Sequence, residues 1–159
     1  MPISYLAVVG TPNAFGKVFH FRLYLVSRLP GAREASILID MRPFLTGSRS
    51  MDGIAVVKYV PYAYSRNIGT MPFLVPATPG ISAGTFLEII FTRYSLNQYI
   101  FTDSVQGCRH WCASVLERLA QERLVPVGIP QEFADYEVEE HRRFGSKFPL
   151  PRITGTFYQ

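Results

Sequence analysis

The chain has 159 residues, 48% of them apolar and 18% charged, with 12 Phe, 9 Tyr and 1 Trp. That composition excludes a disordered tail, and the length suits one domain over 1–159 rather than two with cores of their own. With 16 basic and 12 acidic residues the net charge of +4 is mild and gives only a weak preference for anionic partners.

The basic residues are 13 Arg and 3 Lys. Arg favours planar, bidentate contacts, so many of these side chains are expected to be paired. Two cysteines, Cys108 and Cys112, are too few for a disulfide framework. Four residues apart on one helix, they share a face but are badly placed for a bridge, which predicts reduced thiols in a reducing, cytoplasmic compartment. Residues 1–16 carry an apolar patch without a basic flank, so no signal peptide is expected. The uncharged run at 67–87 is broken by Pro72, Pro76 and Pro79, which favours a buried loop and the start of a helix over a membrane span.

In chain order, residues 3–9 read as a strand, followed by turn chemistry at Thr11, Pro12 and Asn13. Residues 17–27, KVFHFRLYLVS, alternate with period two. Phe19, Phe21, Leu23 and Leu25 fall on a core face. Val18, His20, Arg22, Tyr24 and Val26 fall on the other, which is amphipathic and suited to line a cleft or meet water. Strands follow at 35–41 and 54–60, with a polar turn at 47–53 between them, and short connections suggest an antiparallel meander. The Pro-rich stretch 71–80 reads as irregular. Residues 82–94 look helical, capped by Ser82 or Thr85. Residues 99–102 read as a short strand.

The clearest helix spans 104–123, capped by Asp103 or Ser104. Cys108, Trp111, Cys112, Val115, Leu116 and Leu119 form its buried stripe. The acidic run from Glu132 to Glu140 precedes His141, Arg142, Arg143 and Lys147, an order that suits a helix dipole if the segment is helical. Surface helix, lid and docking arm all stay open for it. The tail is expected to close with a last strand. The sum is an α+β fold, a mostly antiparallel sheet packed against two or three helices.

Candidate chemistry concentrates in residues 99–119. A cysteine in the first turns of a helix meets free backbone N–H groups and a partial positive charge, and both favour thiolate over thiol. Gly107 would leave room for a substrate at the sulfur, and the Cys108 N–H, with Gln106, would face an oxyanion. Among three histidines, His20 is the best-placed base. His110 points to another helix face, and His141 sits in a charged segment. Asp40, on the next strand, would orient His20 if the register allows. Arg22 and Tyr24 flank His20 as cleft-lining, ligand-binding candidates. Arg109 should project outward, where it would bind an anionic group or solvate the helix. Cys108 fits a small core residue equally well.

The string Phe19-His20-Phe21-Arg22-Leu23-Tyr24-Leu25, followed by Tyr99-Ile100-Phe101-Thr102 and Cys108-Arg109-His110-Trp111, resembles the permuted papain-like thiol proteins. The PPPDE deubiquitinase-like and lecithin-retinol-acyltransferase-like groups share this order of His strand, later strands and Cys at a helix start. The resemblance covers the layout of about residues 17–125 and rests on a few positions. It departs where those families often carry Asn immediately before the Cys, since this chain has Gly107. The Gly107-Cys108-Arg109-x-Trp111 string is also similar to small fungal proteins of uncharacterised function. The resemblance implies a cysteine hydrolase or acyltransferase with Cys108 as nucleophile, His20 as base and Asp40 as orienter, acting on a peptide or small acyl substrate without a cofactor. The alternative is an inactive member of the fold that binds a peptide or small ligand, or a homodimer joined through a sheet edge. The Cys-x-x-x-Cys spacing lacks a second ligand pair for zinc, so no metal is expected. The basic cluster near residue 142 is offset by adjacent acid, so no nucleic-acid partner is expected.

Overall fold

The computed structural model describes residues 1–12, 18–44, 51–67 and 69–158. Lys17, Asn13 of the first turn and residues 47–50 of the second lie outside them. Four long strands, β1 (Tyr5–Pro12), β2 (Phe19–Ser27), β3 (Ala35–Pro43) and β4 (Gly53–Val60), pair antiparallel in a meander. A fifth, β5 (Phe73–Pro76), pairs with β1, giving the sheet order β4-β3-β2-β1-β5.

β5 corrects the irregular reading of 71–80. It is an edge strand, where prolines cost no ladder bond on the outer side. Phe73 and Val75 turn inward while Leu74 and Pro76 face out.

Three helical segments cover one face. The first, α1 (Ala83–Leu87), is capped by Ser82, whose Oγ accepts from Thr85 N at 3.3 Å, and continues as a π-helical turn over Glu88–Arg93. The second is α2 (Cys108–Gln121) and the third α3 (Ile129–Phe144). α3 starts on a Pro in its first turn and ends on His141, Arg142 and Arg143, which complements the dipole.

α2 starts four residues later than the sequence suggests. Thr102 holds the preceding segment in a tight loop, its N–H donating to Gln106 O, its Oγ1 accepting from Gln106 N and its O from Val105 N. Val105 (φ 60°) and Gly107 (φ 136°) lie outside the helical region, so neither Asp103 nor Ser104 caps the helix. The consequence is that Cys108 is the first helical residue.

The strand expected at 99–102 is shorter and sits apart. β6 (Tyr99–Ile100) pairs only with β7 (Thr156–Phe157) in a two-stranded sheet, tied to the start of β4 by an Asp52–Ile100 bridge.

Alternation along the strands yields two cores. Leu6, Leu23, Ile39, Phe86, Trp111 and Leu116 pack between sheet and helices. Trp111 is 1% exposed and donates from Nε1 to Leu96 O at 2.6 Å, so its one polar atom is satisfied. On the opposite face Val9, Tyr24, Val26, Leu38 and Val60 form a smaller cluster, covered in part by Tyr5 and Tyr64.

Candidate active site

The site begins where two strands part. β2 stays in register with β1 as far as Phe19, and β3 with β4 as far as Pro43. The ladder between β2 and β3 stops at Leu23–Ile39. The first turn of α2 docks at this opening. The Phe21 N–H, which would otherwise seek a strand carbonyl, donates to Cys108 Sγ at 3.3 Å, and Phe19 O lies 3.9 Å from the same sulfur.

His20 and Asp40 come from the two diverging strands. His20 Nε2 lies 2.6 Å from Asp40 Oδ1, and the carboxylate's other oxygen accepts from Arg22 Nε at 3.1 Å. Arg22 is itself anchored, Nη1 donating to Thr11 Oγ1 at 2.9 Å. With Nε2 engaged by Asp40, Nδ1 is the ring nitrogen left for Cys108, whose side chain couples electrostatically to the imidazole.

The electrostatics follow from these contacts. Burial works against a charged imidazole, but the hydrogen bonds to Asp40 and Cys108 prevail and raise His20 to about 9. Burial likewise works against the Cys108 thiolate. The His20 hydrogen bond and charge, with the backbone N–H groups of Phe21 and Arg109, outweigh it and lower the thiol below its ordinary value. Asp40 is desolvated too, yet His20 and Arg22 bring it down to about 2. These directions favour a thiolate beside an imidazolium, backed by a carboxylate, over the neutral thiol–imidazole pair.

As the first residue of α2, Cys108 has a backbone N–H with no intrahelical acceptor. A cavity of about 500 Å³ opens at the sulfur, lined by His20, Gln106 and Gly107 together with Phe21, Phe101 and Ile153. Gln106, partly buried, is one of the residues that line this space.

The whole arrangement lies within one sequence family. The chain matches the model of a domain of unknown function, DUF7770, over residues 6–158. It belongs to the DUF7770 family. No curated protein and no solved structure matches it.

Within this DUF7770 domain several expected site residues take other places. Tyr24 does not line the cleft. It is 2% exposed, lies in the second core and stacks edge-on to Tyr64 at 6.4 Å. The side chains of β2 do alternate between two faces, but the face that carries Tyr24 has a core of its own. Arg22 is likewise absent from the cavity wall, and its guanidinium braces Asp40 instead. Arg109 reaches the cavity but does not project outward. At 6% exposure it pairs with Glu137, its Nε donating to Oε2 at 2.8 Å, donates to Pro149 O, and lies 4.0 Å from the centre of the Phe148 ring.

Gly107 is needed for another reason than substrate access. Its φ of 136° disfavours any side chain, and a Cβ there would meet Tyr99 Oη at 2.7 Å. Tyr99 Oη donates to Gly107 O at 2.7 Å and accepts from Gly155 N at 2.9 Å, which fixes the loop before Cys108. The other histidines are engaged elsewhere, His110 Nδ1 with Tyr99 Oη at 2.9 Å and His141 Nδ1 with Phe148 O at 2.6 Å. Cys112 is wholly buried, and burial pushes its thiol well up.

Tyr99 had a visible role as the head of a strand but no visible link to Gly107. Glu137 and Arg152 were missed altogether. Glu137, 2% exposed, accepts from both Arg109 and Arg152 and ties the C-terminal segment to α2 and α3. The only signal was an Arg-rich basic set that predicted pairing. Among the described residues no cluster of three His, Cys, Asp or Glu could hold a metal, and no helix is long and apolar enough to cross a membrane.

Proposed function

We propose that this DUF7770 domain is a small thiol enzyme of permuted papain-like layout that hydrolyses or transfers the acyl group of an amide or thioester. The contact chain Asp40–His20–Cys108, ending at a cavity mouth, carries the reading.

The chemistry runs in two balanced steps. The Cys108 thiolate attacks the acyl carbonyl carbon, and the carbonyl electron pair moves onto oxygen, facing the Cys108 N–H and the Gln106 side chain. Collapse breaks the bond to the leaving group, which takes the Nδ1 proton of His20. Water or a second nucleophile then attacks the thioester and gives a proton back to His20 as the thiolate departs. Asp40 holds the ring so that Nδ1 faces the sulfur throughout, and Arg22 holds Asp40.

The test is intact-mass detection of an acyl adduct after brief exposure to a panel of acyl thioesters, activated amides and esters. In a Cys112→Ala background one acyl group should appear on Cys108, vanish in Cys108→Ser and slow sharply in His20→Ala. A thiol that reacts only after unfolding, or an adduct indifferent to His20, would overturn the enzyme reading. The cavity would then belong to an inactive fold member that binds a ligand.

A further inference from the structure

The cavity at Cys108 has a marked charge asymmetry. Val18, Phe21, Phe101, Val105, Pro149 and Ile153 supply an apolar wall. Arg42 and Lys147 stand at its exposed rim, on the end of β3 and in the short turn after α3. No Asp or Glu is among the described residues that line it.

The cations are not all equivalent. The charge of Arg109 is balanced by Glu137. Asp40 is matched by Arg22 and His20 behind the site. Arg42 and Lys147 have no ion-pair partner among the described residues. The N-terminus of the 14-residue α2, whose first residues line the cavity, adds its partial positive charge. Low-dielectric walls beneath two unmatched cations concentrate a positive field in the cleft.

We infer that the cavity takes an anionic amphiphile, an acyl compound whose apolar body lies on Phe21, Phe101 and Ile153 and whose carboxylate or phosphate is met by Arg42 and Lys147. Calling that compound a substrate rests on the proposed acyl chemistry; its binding does not. Arg42 and Lys147 select by charge and take no part in the bond-making steps.

The experiment uses the full chain as Cys108→Ser, so that binding is separated from turnover. Calorimetry compares decanoate, decyl phosphate, decanol and decyltrimethylammonium below their micelle thresholds at low salt. At least one of the two anions is expected to bind about 10-fold tighter than decanol, with the cation weakest. The ratio of the two anions tells a carboxylate ligand from a phosphate one. Arg42→Gln with Lys147→Gln should remove that gap and leave decanol unchanged, and added salt should narrow it. Equal binding of anion and alcohol, or a double variant that weakens decanol as much as the anions, overturns the inference, as does no binding by any probe. Acyl-adduct formation is read separately. An adduct without anion preference sinks only this inference, and anion preference without an adduct sinks only the enzyme reading.

Discussion

Asp40 Oδ1 reaches His20 Nε2 at 2.6 Å across two strands whose shared ladder has ended one residue before Asp40. That contact sets a pH signature for the site. Acyl transfer should follow a bell, its acid limb at the lowered Cys108 value and its alkaline limb near 9, where His20 loses its proton. Asp40→Asn removes the carboxylate charge from the ring, so the alkaline limb should fall and the acid limb of iodoacetamide labelling should rise. His20→Ala should cost roughly 10²–10⁴-fold in acyl transfer. Stopped-flow rates across pH 5–10 check all three.

The same carboxylate makes stability pH-dependent. Asp40 falls from 3.8 to about 2 on folding, so its contribution is present in full above 3.8 and is lost as pH drops toward 2. The loss should be about 2 kcal/mol. His20 runs the other way, its contribution present below 6.5 and lost as pH rises through about 9. The two share the His20–Asp40 contact, so they do not simply add. Urea titrations of the native chain and Asp40→Asn should show the acid slope flattened in the variant.

Gly107→Ala should destabilise the fold by about 2 kcal/mol or more, because strained φ and overpacking act together. The new Cβ would press on Tyr99 Oη, the anchor of the loop before Cys108. Tyr99→Phe in the same background should relieve part of the crowding. Denaturant midpoints of the two single variants and the double variant measure that coupling.

Glu137→Ala strands two guanidiniums, one of them 6% exposed, beside a missing partner. Breaking a buried pair from one side costs about 3–5 kcal/mol. The C-terminal segment, which brings Pro149 and Ile153 to the cavity, should loosen first. Hydrogen exchange of residues 149–158 would register it before global unfolding. A midpoint shift no larger than that of an exposed-surface variant such as Glu139→Ala would count against the pairing.

The long strands were legible from the alternation at 17–27 and from short apolar runs between turns, and Asp40 could be put on the strand after His20. The pairing itself was not legible, because the β2–β3 ladder counted past Leu23–Ile39 sets Arg22, not His20, opposite Asp40. Other features depend on three-dimensional partners. Tyr24 reads as cleft-facing until a second core is known to cover that face. The start of α2 is hidden because Asp103 and Ser104 are good caps, and only the Thr102 loop, with two positive-φ residues, overrides them. α3 buries Glu137 and Glu140, which makes its inner face look like solvent. Arg109 looks exposed until Glu137 is placed opposite it. β5 lacks a period because a four-residue edge strand is too short to show one.

An amide that gives its proton to sulfur instead of a strand carbonyl doubles as a sensor. The Phe21 N–H points at Cys108 Sγ, so its proton resonance must move when the sulfur gains or loses charge. A single backbone peak, followed by NMR across pH in the untouched protein, would trace the ionisation of Cys108 with no labelling reagent in the tube.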